Sequence, residues 1–590
     1  MKRRLLAAVP ILRLLVIAVI ITWPAVRLDA LLGHERCTAG CHAWVVWAAQ
    51  AQIFGGEASA DLLFFPHGAD LFRLYGSDLL GPLVLAPLVG LLTPWALVNL
   101  WVLLMVWCNG LAAYALGRSL DLGRGAATVL GTAFMAAPFF AHEAFNGTTE
   151  LLAAWPLPLF ALAWLKLLER PSPKLGLLAG LAFGVGGLLS VYTPFFLLLV
   201  VGVSLAWWAT TRLDPLFDRA RLGAMALAGA VSALMLVPVG LLHLRHGAGA
   251  LHSRRVGWSA DAVPLPDSAG DLFGLVSAGI SEPPRVVLQG DGTLYDYWTL
   301  GTVTLGFLAL ALAVLGWWRS PRRGPWPLLF MAALLVSLGP WLVAGGDLLR
   351  IGGSPIPGPA LLLERLFPPW GVVSLHPYRF AALTALALAV LAGMGAEVLL
   401  RWLAGRGRLA AVIAVPVLCV LLAAEGILHR PGGWALPTTA PPTSASWTWL
   451  AGAPRGGMVL LPFVADEIGD VCQGLLAQTV HGQPWSDGAM HFRADPSSLA
   501  LYGQSPLLSA LASAQRGDLL GPEQSAAGLA ELRELGFRYV VLDRPGYARL
   551  ERQRRSVSAR HDPVAVEAWL QLHLGPPAQD DGAVAVFSIR

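Results

Sequence analysis

Charge is scarce in this chain of 590 residues: Asp, Glu, Lys and Arg make up only 13% of it, against roughly 25% in an average soluble domain. With 56% hydrophobic residues and a mean hydropathy of +0.62, that scarcity excludes an ordinary water-soluble enzyme. It also excludes a disordered chain, which needs low hydrophobicity and high charge. Basic residues barely outnumber acidic ones, 41 to 37, which argues against a nucleic-acid partner and the clustered basic face it requires. Five cysteines are too few for a disulfide framework. The sequence has no internal repeat, no phosphate-cradling glycine loop and no Ser-His-Asp spacing.

What is abundant is apolar sequence in runs long enough to cross a hydrocarbon layer, which takes around 20 residues each. About eleven such runs lie near 5–26, 95–116, 126–141, 151–168, 175–191, 195–208, 222–242, 298–318, 326–344, 380–400 and 409–428. The stretch 79–92 is also apolar, but it is short and holds Pro82 and Pro87, so it reads as lying in the interface. Short loops rich in Lys and Arg stay cytoplasmic, and every second connection is basic, beginning with Lys2, Arg3 and Arg4. This places the N-terminus inside and puts 27–94, 142–150, 243–297, 345–378 and everything after 429 on the outer face. The long apolar core of the first run and its lack of a small-residue cleavage site favour an uncleaved anchor in the inner (plasma) membrane.

The expected fold is therefore an α-helical polytopic membrane module over 1–429, with outer loops 27–94, 243–297 and 345–378, followed by a soluble extracytoplasmic α/β domain over 430–590. In the latter, 437–442 reads as a Pro- and Thr-rich linker. Runs 458–463, 538–542 and 583–589 suit strands, and 497–513, 528–535 and 564–572 suit helices, with Gly536 at a helix C-cap. The stretch 43–54 reads as a helix along the membrane with Trp44 and Trp47 at headgroup level. Cys37 and Cys41 are spaced either to pair with each other in an oxidising compartment or to remain adjacent free thiols on one helix face. Cys108 and Cys419 read as buried thiols within spans.

Several outer-face side chains are candidates for chemistry. Glu35 and Asp29 are carboxylates just after the first span, and Asp29 is also placed to pair with Arg27. Asp61, His67 and Asp70 offer carboxylate and imidazole to a divalent ion, Mg or Mn. Glu143 and Glu150 bracket a very short outer loop, an unusual place for carboxylates. Arg379, just before the tenth run, suits a phosphate because guanidinium matches its oxygens bidentately.

The motifs TWP at 22–24, HAW at 42–44, FFPHGADL at 64–71, NGTTELLAAWPLPL at 146–159 and HPYRFAALTALALAVLAGMG at 376–395 resemble, in that order, multi-pass membrane proteins of the GT-C glycosyltransferase superfamily. The likeness is to YfhO-like proteins and dolichyl-phosphate-mannose-type transferases, and GGMVLLPF, ELGFRYVVLD and AVAVFSIR resemble the outer domain such proteins carry. The resemblance implies transfer of a sugar from a polyprenyl-phosphate donor in the bilayer to a glycan, lipid or protein acceptor of the cell envelope. An acid of the first outer loop would serve as base or metal ligand, and Arg379 with His376 would bind the donor phosphate. Relatives carry a Gly-Asp-Pro-like element a few residues before the Asn-Ala-Trp that matches 42–44. Here that position, near Thr38, has no Asp, and Glu35 and Asp29 are the nearest carboxylates. Either the role has moved by about one helical turn or this copy is a catalytically inactive scaffold. A lipid or glycan transporter ranks third, because the spans hold few ionisable residues.

Overall fold

The computed structural model describes the chain apart from residues 1, 36, 55–60, 70–77, 212–217, 256–285, 289–293, 297–303, 322, 345–346, 367–376, 431–432, 463–467, 488–504, 506, 509–510, 512–521, 554–562 and 590. Each expected apolar run falls on an apolar helix. Among the described residues seven helices are long and apolar enough to cross a membrane: Pro94–Ser119, Arg124–Asn146, Thr149–Glu169, Thr193–Thr211, Arg219–Leu242, Pro377–Arg406 and Arg408–Leu428. Four shorter apolar helices, Ala8–Ile21, Pro173–Leu189, Phe307–Arg319 and Trp326–Ser337, fall on the remaining runs. Starts are set by local chemistry. Thr93 caps Pro94–Ser119 by accepting a bond from the Ala96 amide at 3.3 Å, with Pro94 at the first position, and Ser172 with Pro173 repeats the device.

Burial separates the helices by role. The segment Arg124–Asn146 is almost wholly buried at the centre of the bundle, whereas Arg219–Leu242 is exposed or half-buried over most of its length and presents Leu234, Val237 and Leu241 outward. In water such a face would be unstable; in hydrocarbon it costs nothing. Short residues allow the tightest crossing. Gly316 of Phe307–Arg319 and Gly395 of the helix Ala381–Arg406 meet so closely that a Cβ on either would strike a backbone carbonyl, Leu391 for the first and Leu312 for the second. The segment 79–92 forms only the short helix Leu80–Leu85 and a 3-10 turn Ala86–Leu88, with Leu83, Val84 and Leu91 exposed.

After the last span the chain builds a four-stranded mixed sheet in the order Gln579–Asp580, Val584–Ser588, Phe537–Asp543, Gly457–Leu461. Phe537–Asp543 pairs antiparallel with Val584–Ser588 and parallel with Gly457–Leu461. Gly536, at φ +89°, ends the helix Pro522–Glu534 as its position suggests. Side chains alternate between two cores. Val459, Leu461, Val540, Leu542 and Phe587 face the helices that carry Leu532 and Trp569. Met458, Leu460, Tyr539, Val541 and Val586 face a core that also holds Cys41, Trp44, Leu62, Leu63 and Phe64 of the loop after the first apolar helix. That loop and one face of the terminal sheet thus share one hydrophobic core.

Three expectations are corrected here. The 437–442 segment is not a plain linker: Thr438–Thr439 pairs antiparallel with Leu31–Leu32. Trp44 is not a headgroup anchor; it is fully buried and donates its indole N–H to Gln478 Oε1 at 2.6 Å. Cys41 bonds to Cys472, not to Cys37, which remains a free buried thiol. Cys37 and Cys41 fall on opposite sides of the helix start, in two different cores. The helix Ile468–His481 that supplies Cys472 is an element the sequence reading did not assign, and the expected helix over 497–513 lies mostly outside the described residues.

Candidate active site

Two loops fold onto the helix Ala39–Phe54. Thr38 donates its amide to the Asn146 carbonyl at 3.0 Å, and Gly147, at φ +72°, sits where a Cβ would strike Ala39. Only glycine fits that turn. On the other side Asn99, buried in Pro94–Ser119, accepts from the Leu32 amide at 2.8 Å and donates to the carbonyls of Arg27 and Ala30. The first loop is thereby tied to the bundle before its polar side chains are placed.

Those side chains converge with groups from three other segments. His42 Nε2 lies 3.3 Å from Glu150 Oε2, with the two side chains 21% and 15% exposed. On its other oxygen, Glu150 meets Arg379 Nη1 at 3.9 Å. The Arg379 guanidinium lies over the Tyr192 ring, 4.3 Å from its centroid, and 5.9 Å from that of Tyr378. Its charge reaches Glu143, which is fully buried. Asp78, just before Leu80–Leu85, is 8% exposed and acts electrostatically on both His42 and Glu150. One end of the bundle thus gathers three carboxylates, an imidazole and a guanidinium from segments far apart in sequence.

Polar satisfaction is incomplete. Asp78 Oδ1 and Arg379 Nε are buried without hydrogen-bond partners, while the Thr148 side chain reaches Glu143. Buried polar atoms are ordinarily paired, so an acid and a guanidinium short of partners beside His42 and Glu150 single out this cluster as the candidate site. Burial pushes the Asp78 carboxyl up to about 7, against the opposing pull of His42. His42 feels burial in the opposite sense, but the bond to Glu150 and the fields of Glu150 and Asp78 outweigh it and raise its pKa. Asp78 is thus drawn toward neutrality, the range in which protons are exchanged readily.

The other candidates fall elsewhere. Asp29 is exposed and paired with Arg27 at 3.1 Å. Glu35 is exposed, and its backbone carbonyl accepts from Gln473. Asp61 pairs with Arg455 at 2.7 Å, across to the terminal domain, while His67 is exposed. Asp70 and His376 lie outside the described residues, as does most of 243–297. Among the described residues no three His, Cys, Asp or Glu side chains are arranged to hold a metal ion. Sequence reasoning brought Glu143, Glu150 and Arg379 forward but missed His42 and Asp78 as site residues. The signal present was a histidine and an acid in the polar loop that follows the first apolar run.

No family model matches the chain, and no curated protein matches it in sequence. Among solved structures, the arabinofuranosyltransferase AftD from Mycobacteria superposes with TM-score 0.54 at 16% identity, over 100% of this chain and 40% of that one. The chain has the GT-C glycosyltransferase fold. It spans well under half the length of AftD, so the likeness concerns a GT-C module. ArnT from Cupriavidus metallidurans, bound to undecaprenyl phosphate, matches over 99% of this chain and 98% of its own at 13% identity and TM-score 0.49. The oligosaccharyltransferase of Archaeoglobus fulgidus matches over 90% and 69% at 15% identity and TM-score 0.47.

Proposed function

We propose that this chain is a multi-pass membrane glycosyltransferase that moves a sugar from a polyprenyl-phosphate donor to a cell-envelope acceptor at the outer face of the inner membrane, with its N-terminus cytoplasmic. The observation that carries the reading is the buried, incompletely satisfied cluster of His42, Asp78, Glu143, Glu150 and Arg379 at one end of a GT-C-fold bundle. In this reading an acceptor hydroxyl attacks the anomeric carbon as the bond from that carbon to the phosphate oxygen breaks. Asp78 takes the hydroxyl proton, a role for which a carboxyl near 7 is suited. The lipid phosphate leaves with the bonding electrons toward Arg379, whose positive charge stabilises it, with His42 beside it. Asp78 replaces Glu35 and Asp29 as the expected base, since both of those are exposed and Asp29 is paired with Arg27.

The test compares envelope glycans and glycolipids, by mass spectrometry, from cells bearing the chain and cells bearing Asp78→Asn or Arg379→Gln. A hexosyl or pentosyl increment that disappears with either variant supports transfer. Identical profiles for chain, variants and empty vector overturn it and leave the scaffold reading, which the occupation of the expected acidic position by Thr38 favours.

A further inference from the structure

The helix Ala39–Phe54 lies between two bodies and belongs to both. Cys41, Trp44 and Ala48, spaced three and four residues apart on one face, enter the core of the terminal domain. Ala39, Ala43 and Val46, on another face, enter a core with Leu97, Val98 and Trp101 of the membrane bundle. His42 projects between these faces toward Glu150. The domain side of the contact is tight: a Cβ on Gly40 would come within 2.6 Å of the Cys472 carbonyl oxygen, the Trp44 indole is bonded to Gln478, and Gln473 donates to the Glu35 carbonyl at 2.7 Å. At its centre is the bond from Cys41 to Cys472, 431 residues apart.

Successive residues on a helix are turned by about 100°. A covalent tether at Cys41 therefore fixes the roll of the helix about its axis, and with it the direction in which the adjacent His42 points. We infer that the Cys41–Cys472 disulfide is a positioning device for His42, through which the terminal domain sets the geometry of the site beneath it. The inference takes its site from the proposed function, but the positioning itself does not depend on sugar transfer. The two cysteines touch no reacting atom and act through the imidazole.

Opening the bond is a defined chemical step. A dithiol such as dithiothreitol delivers two electrons and two protons, leaves Cys41 and Cys472 as thiols and closes to its own cyclic disulfide. Freed to roll, His42 leaves the fields of Glu150 and Asp78, the charged groups that act on it among the described residues, and should titrate lower.

The experiment uses the full chain in lipid nanodiscs with ring-labelled histidine, His42 being assigned by its loss in His42→Gln. Its titration is followed by NMR in the oxidised protein, after dithiothreitol, and in Cys472→Ser, with Cys108→Ser as a thiol control outside the site. The bond is checked by intact and peptide mass, and helix content by circular dichroism. The expected result is a fall in the His42 midpoint on reduction and in Cys472→Ser, with helix content kept and no change in Cys108→Ser. If Cys472→Ser does not fold, the reduced wild-type protein gives the same reading. An unmoved midpoint in protein whose bond is shown to be open overturns the inference, as does wild-type protein whose mass lacks the bond. Sugar transfer is assayed in parallel. A shifted midpoint with no transfer by any form keeps the positioning role and removes the transferase reading, whereas transfer with an unshifted midpoint does the reverse.

Discussion

Arg379 sits over Tyr192, its guanidinium carbon 4.3 Å from the ring centroid, so that an aromatic surface backs the charge that faces the site. Guanidinium stacks and binds bidentately where an ammonium does neither. Arg379→Lys, which keeps the charge, is expected to lower transfer by roughly a hundredfold, with a smaller loss for Tyr192→Leu. Single-turnover rates with a fixed donor concentration measure both.

Asp78 carries a pH signature of opposite sign for activity and stability. Its carboxyl is held up to about 7 by burial, against about 3.9 in an unfolded chain. The folded protein therefore binds this proton more tightly than the unfolded one, and stability is lost as pH rises from about 4 through about 7. Transfer, which needs the carboxylate, rises over the upper part of the same range. Asp78→Asn is expected to abolish that rising limb while raising the unfolding temperature at pH 8 more than at pH 5. Equal shifts at the two pH values would contradict the assignment.

The Asp61–Arg455 pair spans the first loop and the terminal domain at 2.7 Å, but both side chains are well exposed, at 39% and 45%. Exposed pairs contribute about 0.2–1 kcal/mol. Asp61→Asn and His67→Ala are expected to shift thermal unfolding only slightly and to leave transfer within about twofold, as surface changes do. A large loss in either, restored by added Mg or Mn, would return these residues to a metal-binding role.

The Gly316–Gly395 crossing has no room for a side chain. Gly395→Val is expected to cost about 1–3 kcal/mol or more through overpacking and to reduce the folded fraction recovered in detergent. Gly405→Ala, on the same helix where a Cβ would meet nothing within 4 Å, is the matched control and should be near neutral.

The bundle was legible because each span answers to local hydropathy alone: 222–242 needs no partner to declare itself. Strands 537–543 and 584–588 were legible for the same reason, as short apolar runs closed by turns. Trp44 shows the limit. A tryptophan in an apolar stretch after a membrane span reads as an interface residue, and nothing near it in sequence announces Gln478. His42 and Asp78 were hidden likewise, because their significance comes from Glu150 and from burial. Glu143, Glu150 and Arg379 stood out because charge is expensive at a membrane boundary wherever its partners lie.

The pairing of Leu31–Leu32 with Thr438–Thr439 sets an order of assembly. A ribosome must add some four hundred residues, and the last apolar helix must be inserted, before the early strand can meet its mate. Throughout that interval the first loop waits half built, with Trp44 and Phe64 lacking the cover they have at maturity. A nascent chain arrested before residue 438 would therefore hold an inserted bundle topped by an open, sticky hairpin, the stage at which a folding helper or a quality-control protease would find most to grip.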